Sequence, residues 1–257
     1  MDIREMKAAH KVLARHAYEP VKLDRGYAGR TLYVNLSENR IEQKPVTDFM
    51  KETFTGGKGF DLYLMWQAWE GAIAWDDPRN EICISGGPIC GTSAFSGAGK
   101  SLVTGISPTT GSVMDCNVGG HFGPLLKFAG FDALEVQGKA SEDVLVVIDG
   151  KKNEVTIETA PHEPVNSYDL AEALHEMYAD SHEELQSLSV VSAGRGAEHT
   201  LLGCLNFSWW DWKRSLPRLK QAGRGGMGTV LRNKKIKALV AKALHNRPRW
   251  QMSVEAP

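Results

Sequence analysis

Two glycine-rich stretches of this 257-residue chain hold the residues best suited to binding a bulky anion. The first, residues 86–130, contains G-G-P-I-C-G-T-S-A-F-S-G-A-G-K-S and N-V-G-G-H-F-G-P; the second, Gln221–Gly228, precedes Lys234, Lys235 and Lys237. Glycines let backbone amides approach a ligand, and amides combined with cations suit a phosphate. We therefore expect a phosphate-bearing ligand, although tight turns between strands would require the same glycines.

Ala94–Ser101, A-F-S-G-A-G-K-S, satisfies a relaxed phosphate-loop pattern with Ala in place of the first Gly. Val144–Asp149 imitates the apolar strand ending in an acid that often accompanies such a loop. A phosphate loop must open a helix whose N-terminus faces the phosphates, yet Gly105, Pro108 and Gly111 disfavour a helix after Lys100. A nucleotide-binding protein using this loop is the alternative hypothesis, and a helix after Lys100 would support it.

Gly223–Gly228 matches the G-x-G-x-x-G pattern of dinucleotide-binding folds. The preceding stretch, Lys213–Lys220, is basic rather than typical of a buried parallel strand. The acid that such folds place about twenty residues later is missing, because residues 236–254 contain no Asp or Glu. A dinucleotide fold is therefore not expected.

Cysteine and histidine residues predict neither a metal centre nor a catalytic residue in this chain. The cysteines form no C-x-x-C pair and there is no G-x-S-x-G elbow, so we expect isolated buried thiols. His121, beside Gly and Phe, is expected to be a hydrogen-bonded packing residue, and His175 and His182 to be exposed on or near a helix. The cysteines are Cys83, Cys90, Cys116 and Cys204.

The elements that position these residues alternate between short strands and helices, which predicts an α+β fold rich in sheet. Predicted strands are Thr31–Leu36, Glu81–Ser85, Ser101–Thr104, Ala133–Gln137 and Val144–Ile148, with a hairpin across Asp149–Asn153. Predicted helices are residues 2–17, residues 59–70 and Ser167–Ala179, the last with Leu170, Leu174 and Met177 at helical spacing.

Composition excludes several classes of protein. The chain is 42% hydrophobic and 24% charged with a formal net charge of −1, which is typical of a globular protein and argues against broad nucleic-acid or lipid binding. No apolar run approaches the ~20 residues needed to cross a bilayer. The first twenty residues carry charges where a signal peptide has its apolar centre, so we expect a cytoplasmic protein.

Eight segments in order resemble the amino-terminal domain of the aldehyde ferredoxin oxidoreductase family. They are residues 26–36, 56–59, 77–82, 86–92, 107–111, 117–133, 138–140 and 222–228, followed by K-K-I-K-A at 234–238. The resemblance implies two β-sheets forming a pterin-binding base with a few peripheral helices. It divides the chain into a helical extension (1–25), the cofactor-binding domain (26–245) and a tail (246–257).

By this resemblance the domain would bind tungsten, or molybdenum, held by two pterins whose phosphates share a magnesium ion. The Asn117 side chain and the Gln221 carbonyl would supply oxygen ligands to magnesium, an ion that prefers hard oxygen donors. Gly119 and Gly120 would let the chain pass close to the pterin, and Arg224 would support a phosphate. The implied cofactor-binding residues are Lys58, Lys100, Asn117, Gly119, Gly120, Lys220, Gln221, Ala222, Gly223, Arg224 and Gly225.

Several departures from the family pattern matter. Lys58, Lys100 and Lys220 stand where Arg is usual, which keeps the charge but loses the planar, two-pronged donor. The Trp-rich segment 207–212 replaces a polar one and could be core or a subunit contact.

The family's cluster-binding cysteines and acid/base residues lie in later helical domains beyond the part matched by this chain. The resemblance therefore implies a separate helical iron–sulfur subunit, a ferredoxin-like electron carrier and oxidation of an aldehyde to a carboxylate, or the reverse, by the assembly. Related tungsten enzymes reduce other substrates, including aromatic acyl thioesters. Two further hypotheses stay open: the chain is an expressed fragment of such an enzyme, or it is a scaffold domain that binds no cofactor.

Overall fold

The computed structural model describes residues 3–161 and 166–243. Within these ranges the strands are β1 (Val12–Ala17), β2 (Arg30–Asn35), β3 (Arg40–Pro45), β4 (Ile82–Ser85), β5 (Ser101–Ile106), β6 (Val113–Val118), β7 (Ala133–Gln137), β8 (Val144–Asp149), β9 (Glu154–Thr159), β10 (Leu188–Ser192), β11 (Leu205–Asp211), β12 (Leu216–Ala222) and β13 (Ile236–Lys242). The helices are α1 (Ile3–Ala9), α2 (Asp48–Phe54), α3 (Lys58–Ala68), α4 (Phe122–Ala129), α5 (Ser167–Tyr178) and α6 (Met227–Asn233), with 3-10 turns at His182–Ser187 and Arg195–His199.

These strands form two mixed sheets. The seven-stranded sheet has the order β1-β9-β8-β13-β10-β11-β12, and the six-stranded sheet has the order β3-β2-β7-β4-β5-β6. Neighbours are antiparallel except for the pairs β8–β13 and β2–β7, which are parallel. Two sheets with helices packed on them confirm the α+β prediction, including the predicted hairpin, which joins β8 to β9.

The centre of the seven-stranded sheet is covered on both faces, which explains its long apolar runs. Alternate residues of β8 point in opposite directions: Val144 and Val146 join the core shared with α4 and the second sheet, whereas Leu145 packs with α5. Strands β8 and β13 are buried at every position. Among the described residues no helix is both long enough and apolar enough to cross a membrane.

Helix α3 covers one face of the six-stranded sheet. Its apolar side is buried, and polar contacts fix its height above the strands: the Thr104 hydroxyl donates to Asp61 Oδ2 at 2.8 Å, and the Ser85 hydroxyl donates to the Gly57 carbonyl at 2.9 Å. This helix therefore carries Lys58, at its first turn, to the end of the sheet where β6 lies.

The amino-terminal segment differs from the prediction. The helix expected over residues 2–17 ends at Ala9, and Val12–Ala17 instead forms β1 by pairing with β9 at the sheet edge. Helical spacing is a weak signal when an open strand edge offers partners for every backbone group. The boundary at residue 25 stays a prediction, and the tail 246–257 lies outside the described residues.

A buried ion pair fixes the chain as it enters β2. Lys127 on α4 pairs with Asp132, both side chains being at most 2% exposed, and its Nζ also donates to the Gly26 carbonyl at 3.0 Å. The Asp132 carboxylate accepts hydrogen bonds from the amides of Ala28 (3.0 Å) and Gly29 (2.8 Å). All partners are satisfied, so removing one of them leaves a buried charge uncompensated.

We therefore expect Asp132→Asn to lower the free energy of unfolding by about 3–5 kcal/mol, measured by urea denaturation. The matched control is Glu38→Gln, an acid-to-amide change in the exposed pair with Arg40, which should cost less than about 1 kcal/mol. Equal losses for both variants would mean that the Lys127–Asp132 pair does not anchor this turn.

Candidate functional site

The edge strands of the two sheets, β6 and β12, meet along a line that we call the seam: β6 with residues 119–120, and β12 with residues 223–225. The Arg224 amide donates to Cys116 Sγ at 3.3 Å. A Cβ atom built on Gly119 would lie 3.8 Å from Lys220 Cγ. The second glycine-rich stretch therefore lies directly against the first, although about a hundred residues separate them.

Lys100 and Lys58 reach the same place by other routes. Ser101 pairs with Val118 in the β5–β6 register, so Lys100 lies beside Gly119 at the start of β5. Lys58 Nζ lies 2.6 Å from Asp115 Oδ1, on the same face of β6 as Asn117. The structure thus brings the residues implied by the resemblance together at one seam.

Positive charge at the seam is largely unpaired. The side chains of Lys100, Lys220 and Arg224 are exposed and make no ion pair or hydrogen bond with any residue in the described part of the chain. Lys58, by contrast, is held by Asp115. Unpaired cations gathered at one place attract an anion, and they suit phosphate oxygens in particular.

Oxygen donors accompany these cations. The Asn117 side chain is exposed and has no hydrogen-bond partner in the described ranges. The Gln221 side-chain amide, by contrast, donates from Nε2 to Asn206 Oδ1 at 3.3 Å. Within residues 3–161 and 166–243 no group of three or more His, Cys, Asp or Glu side chains could hold a metal ion. A hard cation here would depend on amide, carbonyl and ligand oxygens, a donor set that suits magnesium.

The glycines of the seam divide into two kinds. Gly120 (φ 107°) and Gly225 (φ 74°) are required by packing, because a Cβ would lie 3.2 Å from Phe207 Cβ or 3.0 Å from Met114 Cβ, respectively. At Gly223 no heavy atom lies within 4 Å of the Cβ position, so open space adjoins the backbone. This space, the unpaired cations and the free amide of Asn117 fit a bulky anionic group.

The two competing motif interpretations do not match the structure. Lys100 leads into strand β5 rather than into the helix that a phosphate loop requires. Gly223–Gly228 does link a strand to a helix, but β12 is an exposed edge strand antiparallel to β11, in agreement with the expectation that 213–220 is not a buried parallel strand. A dinucleotide site needs a buried parallel strand there.

Three expectations about individual side chains were wrong. His175 is fully buried, with Nε2 2.9 Å from the Ser208 hydroxyl, and burial lowers its pKa to about 4. Lys234 is also buried: its ammonium donates to the carbonyls of Pro78 (3.2 Å) and Gly138 (3.0 Å), and burial lowers its pKa to about 7. Lys237 pairs with Asp143 at 3.0 Å, so this lysine cluster is structural.

The cysteines and tryptophans fall largely as expected. All four cysteines are free; Cys204 is partly buried and the other three are buried. Trp210 belongs to the core, whereas Trp212 is 44% exposed at the β11–β12 turn.

Sequence reasoning missed Asp115 and Cys116. Asp115 holds Lys58, and Cys116 accepts the Arg224 amide. The two-residue spacing of Asp115 and Asn117 on one strand was the available signal for the first. Nothing in the sequence signals the second, because the contact depends on how the two sheets meet.

Two mixed sheets that meet at a cationic, glycine-lined seam define a domain suited to holding a bulky anion. The sequence model described as "Aldehyde ferredoxin oxidoreductase, N-terminal domain" matches residues 31–243. The chain belongs to this family.

Two curated relatives show how much of a longer protein this chain matches. The chain is 32% identical over 217 residues to a tungsten-containing aldehyde ferredoxin oxidoreductase of Pyrococcus horikoshii, covering 84% of this chain and 33% of the relative. It is 25% identical over 232 residues to an aliphatic sulfonate oxidoreductase, WOR-like subunit, of Pyrococcus furiosus, covering 84% and 34%. The chain therefore spans about a third of the length of these curated relatives.

A solved structure shares the fold. The active site complex BamBC of benzoyl coenzyme A reductase, in complex with 1,5 dienoyl-CoA, superimposes with a TM-score of 0.72 at 25% identity. The match covers 85% of this chain and 31% of that chain.

The division of the glycines predicts different results at two positions. Gly120→Ala should lower the free energy of unfolding by about 1–3 kcal/mol, because it adds backbone strain and a contact with Phe207. Gly223→Ala, at a position with open space and no positive φ, should change it by less than about 0.5 kcal/mol. Thermal unfolding of both variants measures the difference, and equal midpoints would contradict this assignment.

Proposed function

We propose that this chain is the cofactor-binding base of a tungsten- or molybdenum-dependent oxidoreductase and that it holds the phosphates of a bis-pterin cofactor at the seam. The supporting observation is a group of three exposed cations, Lys100, Lys220 and Arg224, beside the Asn117 side-chain amide, none of which has a partner among residues 3–161 and 166–243. Family membership supports a pterin cofactor as the anion, since the matched relatives include tungsten-containing enzymes.

Each residue of the seam has a proposed role. The ammonium groups of Lys100 and Lys220 and the guanidinium of Arg224 neutralise phosphate oxygens. The Asn117 side chain and the Gln221 carbonyl hold the magnesium ion that the phosphates share. Lys58, fixed by Asp115, adds a positioned cation beside Asn117. Gly119, Gly120, Ala222, Gly223 and Gly225 complete the proposed binding surface.

When bound, the metal and pterins supply the two-electron chemistry, and this chain supplies position and charge. Its own residues include no proposed acid, base or nucleophile. The remaining groups would come from a helical iron–sulfur subunit, with a ferredoxin-like protein as electron carrier, in the cytoplasm. The structural relative BamBC is itself named as a complex, which supports a role for a partner.

The proposed reaction of the assembly is oxidation of an aldehyde to a carboxylate, or its reverse. Relatives named for an aldehyde, an aliphatic sulfonate and benzoyl coenzyme A each align with 84% or 85% of this chain. A domain shared by proteins named for such different compounds is suited to binding the cofactor rather than to selecting the substrate. We therefore propose that substrate selection lies in the partner.

The first test is purification of the tagged chain from its native host, with elemental analysis by mass spectrometry. Tungsten or molybdenum together with a cysteine-rich, iron-containing partner is the expected result. A chain that purifies without metal or pterin but binds ATP with magnesium, in a manner sensitive to Lys100→Ala, would replace this proposal with the nucleotide-binding alternative.

Substitutions at the seam sharpen the test. We expect the double variant Asn117→Leu, Lys220→Met to lower the tungsten or molybdenum content of the native complex roughly tenfold or more, because it removes an oxygen donor and a charge-assisted contact. The matched control is Lys152→Met, an exposed lysine on the β8–β9 turn that should leave the content unchanged. Circular dichroism checks that both variants fold.

A further inference from the structure

A row of polar side chains crosses the six-stranded sheet beneath α3. In the strand register Glu135 on β7 lies opposite Cys83 on β4, Cys83 opposite Thr104 on β5, and Thr104 opposite Asp115 on β6. Residues paired in this way share a face of the sheet, and the bond from Thr104 to Asp61 shows that this face is the one under α3. The row ends at the seam.

Two carboxyl groups in this layer each have one oxygen with no hydrogen-bond partner in the part of the chain that the structure describes. Asp61 accepts the Thr104 hydroxyl on Oδ2, but its Oδ1 has no hydrogen bond, and the neighbouring Ser85 hydroxyl donates to the Gly57 carbonyl instead. Glu81 lies just before β4; its Oε2 accepts the Cys83 thiol at 3.6 Å, and its Oε1 has no partner. Both residues are completely buried.

The cations near this layer, Lys44 and Lys234, already contact other groups. Lys44 lies 2.6 Å from Glu135 Oε2, and the Thr31 hydroxyl donates to the other oxygen at 2.7 Å. Lys234, the other cation that acts on Glu81, donates to two backbone carbonyls. Within the described ranges no cation directly contacts Asp61 or Glu81, and a buried carboxylate without one is strongly disfavoured relative to the neutral acid.

The pKa values of these groups shift in the direction that this arrangement requires. Burial, with smaller contributions from Asp115 and Glu135, raises the pKa of Asp61 to about 7. Burial and Glu135 raise the pKa of Glu81 to about 8. Burial and the nearby carboxyl groups of Glu81, Asp61 and Glu135 raise the pKa of the Cys83 thiol, so the thiol stays neutral.

Asp61 is also connected to the seam. Lys58 lies one helical turn before it on α3, and Lys58 pairs with Asp115, the residue opposite the Thr104 that donates to Asp61. Asp115 is one of the charges that raise the pKa of Asp61, and the Asp115 carboxylate lies 2.6 Å from the Lys58 ammonium. A change of charge at the seam must therefore change the proton affinity of Asp61.

We propose that Asp61 and Glu81 form a buried proton-binding site, loaded with protons in the resting protein and coupled electrostatically to the charge held at the seam. Added negative charge there tightens proton binding and added positive charge loosens it. The step is the release of one proton from a carboxyl oxygen to a solvent water when positive charge is added at the seam, and its return from solvent when that charge is removed; no other bond changes. The inference rests on the proposed function only in assigning the seam's charge to the cofactor, in which case oxidation there is matched by proton release from this chain and reduction by rebinding of the proton.

The pH dependence of the free energy of unfolding should show that Asp61 and Glu81 are protonated in the folded chain. The unfolded chain releases these protons near the ordinary acidic pKa of about 4, whereas the folded chain keeps them until the pH approaches 7 to 8. The free energy of unfolding should therefore fall as the pH rises through this window. Glu81→Gln should flatten the fall, and Glu172→Gln, an exposed acid on α5, should not. Parallel curves for all three proteins would contradict the proposal.

The deciding measurement is a carbon-13 NMR titration of the side-chain carboxyls in the full chain without cofactor. Assignment through backbone-correlated spectra requires no substitution of either acid. Asp61 and Glu81 should titrate at least two pH units above the usual value of about 4. Titration of both together with the exposed acids would overturn the site.

Coupling to the seam is tested in the same spectra. Lys58→Met removes a positive charge and should raise the titration midpoint of Asp61 by roughly half a pH unit or more, whereas Lys152→Met should leave it in place. An unmoved Asp61 midpoint would overturn the coupling. These titrations use the chain without cofactor. Titration midpoints of about 4 for Asp61 and Glu81 would therefore contradict the proton-binding site but not the proposed function. A native complex without metal would contradict the proposed function but not the proton-binding site.

Discussion

The meeting of two sheet edges at the seam is the constraint on which the rest of the structure depends. At this junction a Cβ atom on either glycine would press on a neighbouring side chain, so Gly120 and Gly225 provide the clearance against Phe207 and Met114 that lets the backbones approach. Once the edges are this close, residues more than a hundred positions apart, such as Lys100 and Lys220, share one small area of surface. The site follows from the approach of the backbones more than from any local motif.

Other contacts hold the two sheets in this relation. Away from the seam, His16 on β1 lies 2.8 Å from the Gln43 amide on β3, which links the outer strands of the two sheets. The buried Lys234, between α6 and β13, donates to carbonyls just before β4 and just after β7. Its lowered pKa measures the desolvation cost of placing an ammonium there. An apolar residue could fill the space but could not satisfy two buried carbonyls from different parts of the chain.

Elements with strong local signals were predictable from the sequence. The apolar run of β8 and the turn after Asp149 specified a hairpin, and Pro108 correctly argued against a helix after Lys100. The amino-terminal segment failed because its strand exists only through pairing with β9. His175 failed because exposure depends on what packs against a helix, here Ser208 and Trp210. Spacing along one helix does not contain that information.

The candidate site was predictable only through the ordered resemblance of many segments, since each glycine or lysine alone is compatible with a turn or a solvated surface. The structure adds a distinction that no pattern contains. Lys100 and Lys220 are free of partners among the described residues, whereas Lys58 is held by Asp115 above the buried Asp61. An Arg in place of Lys at 100 or 220 would mainly change how phosphate oxygens are contacted.

At position 58, replacing Lys with Arg would also change the electrostatic potential at the Asp61 carboxyl group. A guanidinium spreads its charge over a planar fork, so a bidentate contact with Asp115 would move positive charge away from the first turn of α3. The departure from the family pattern at Lys58 therefore acts on two levels, through contact with Asp115 at the seam and through the electrostatics of the layer beneath α3. Lys58, Lys100 and Lys220 are consequently not equivalent.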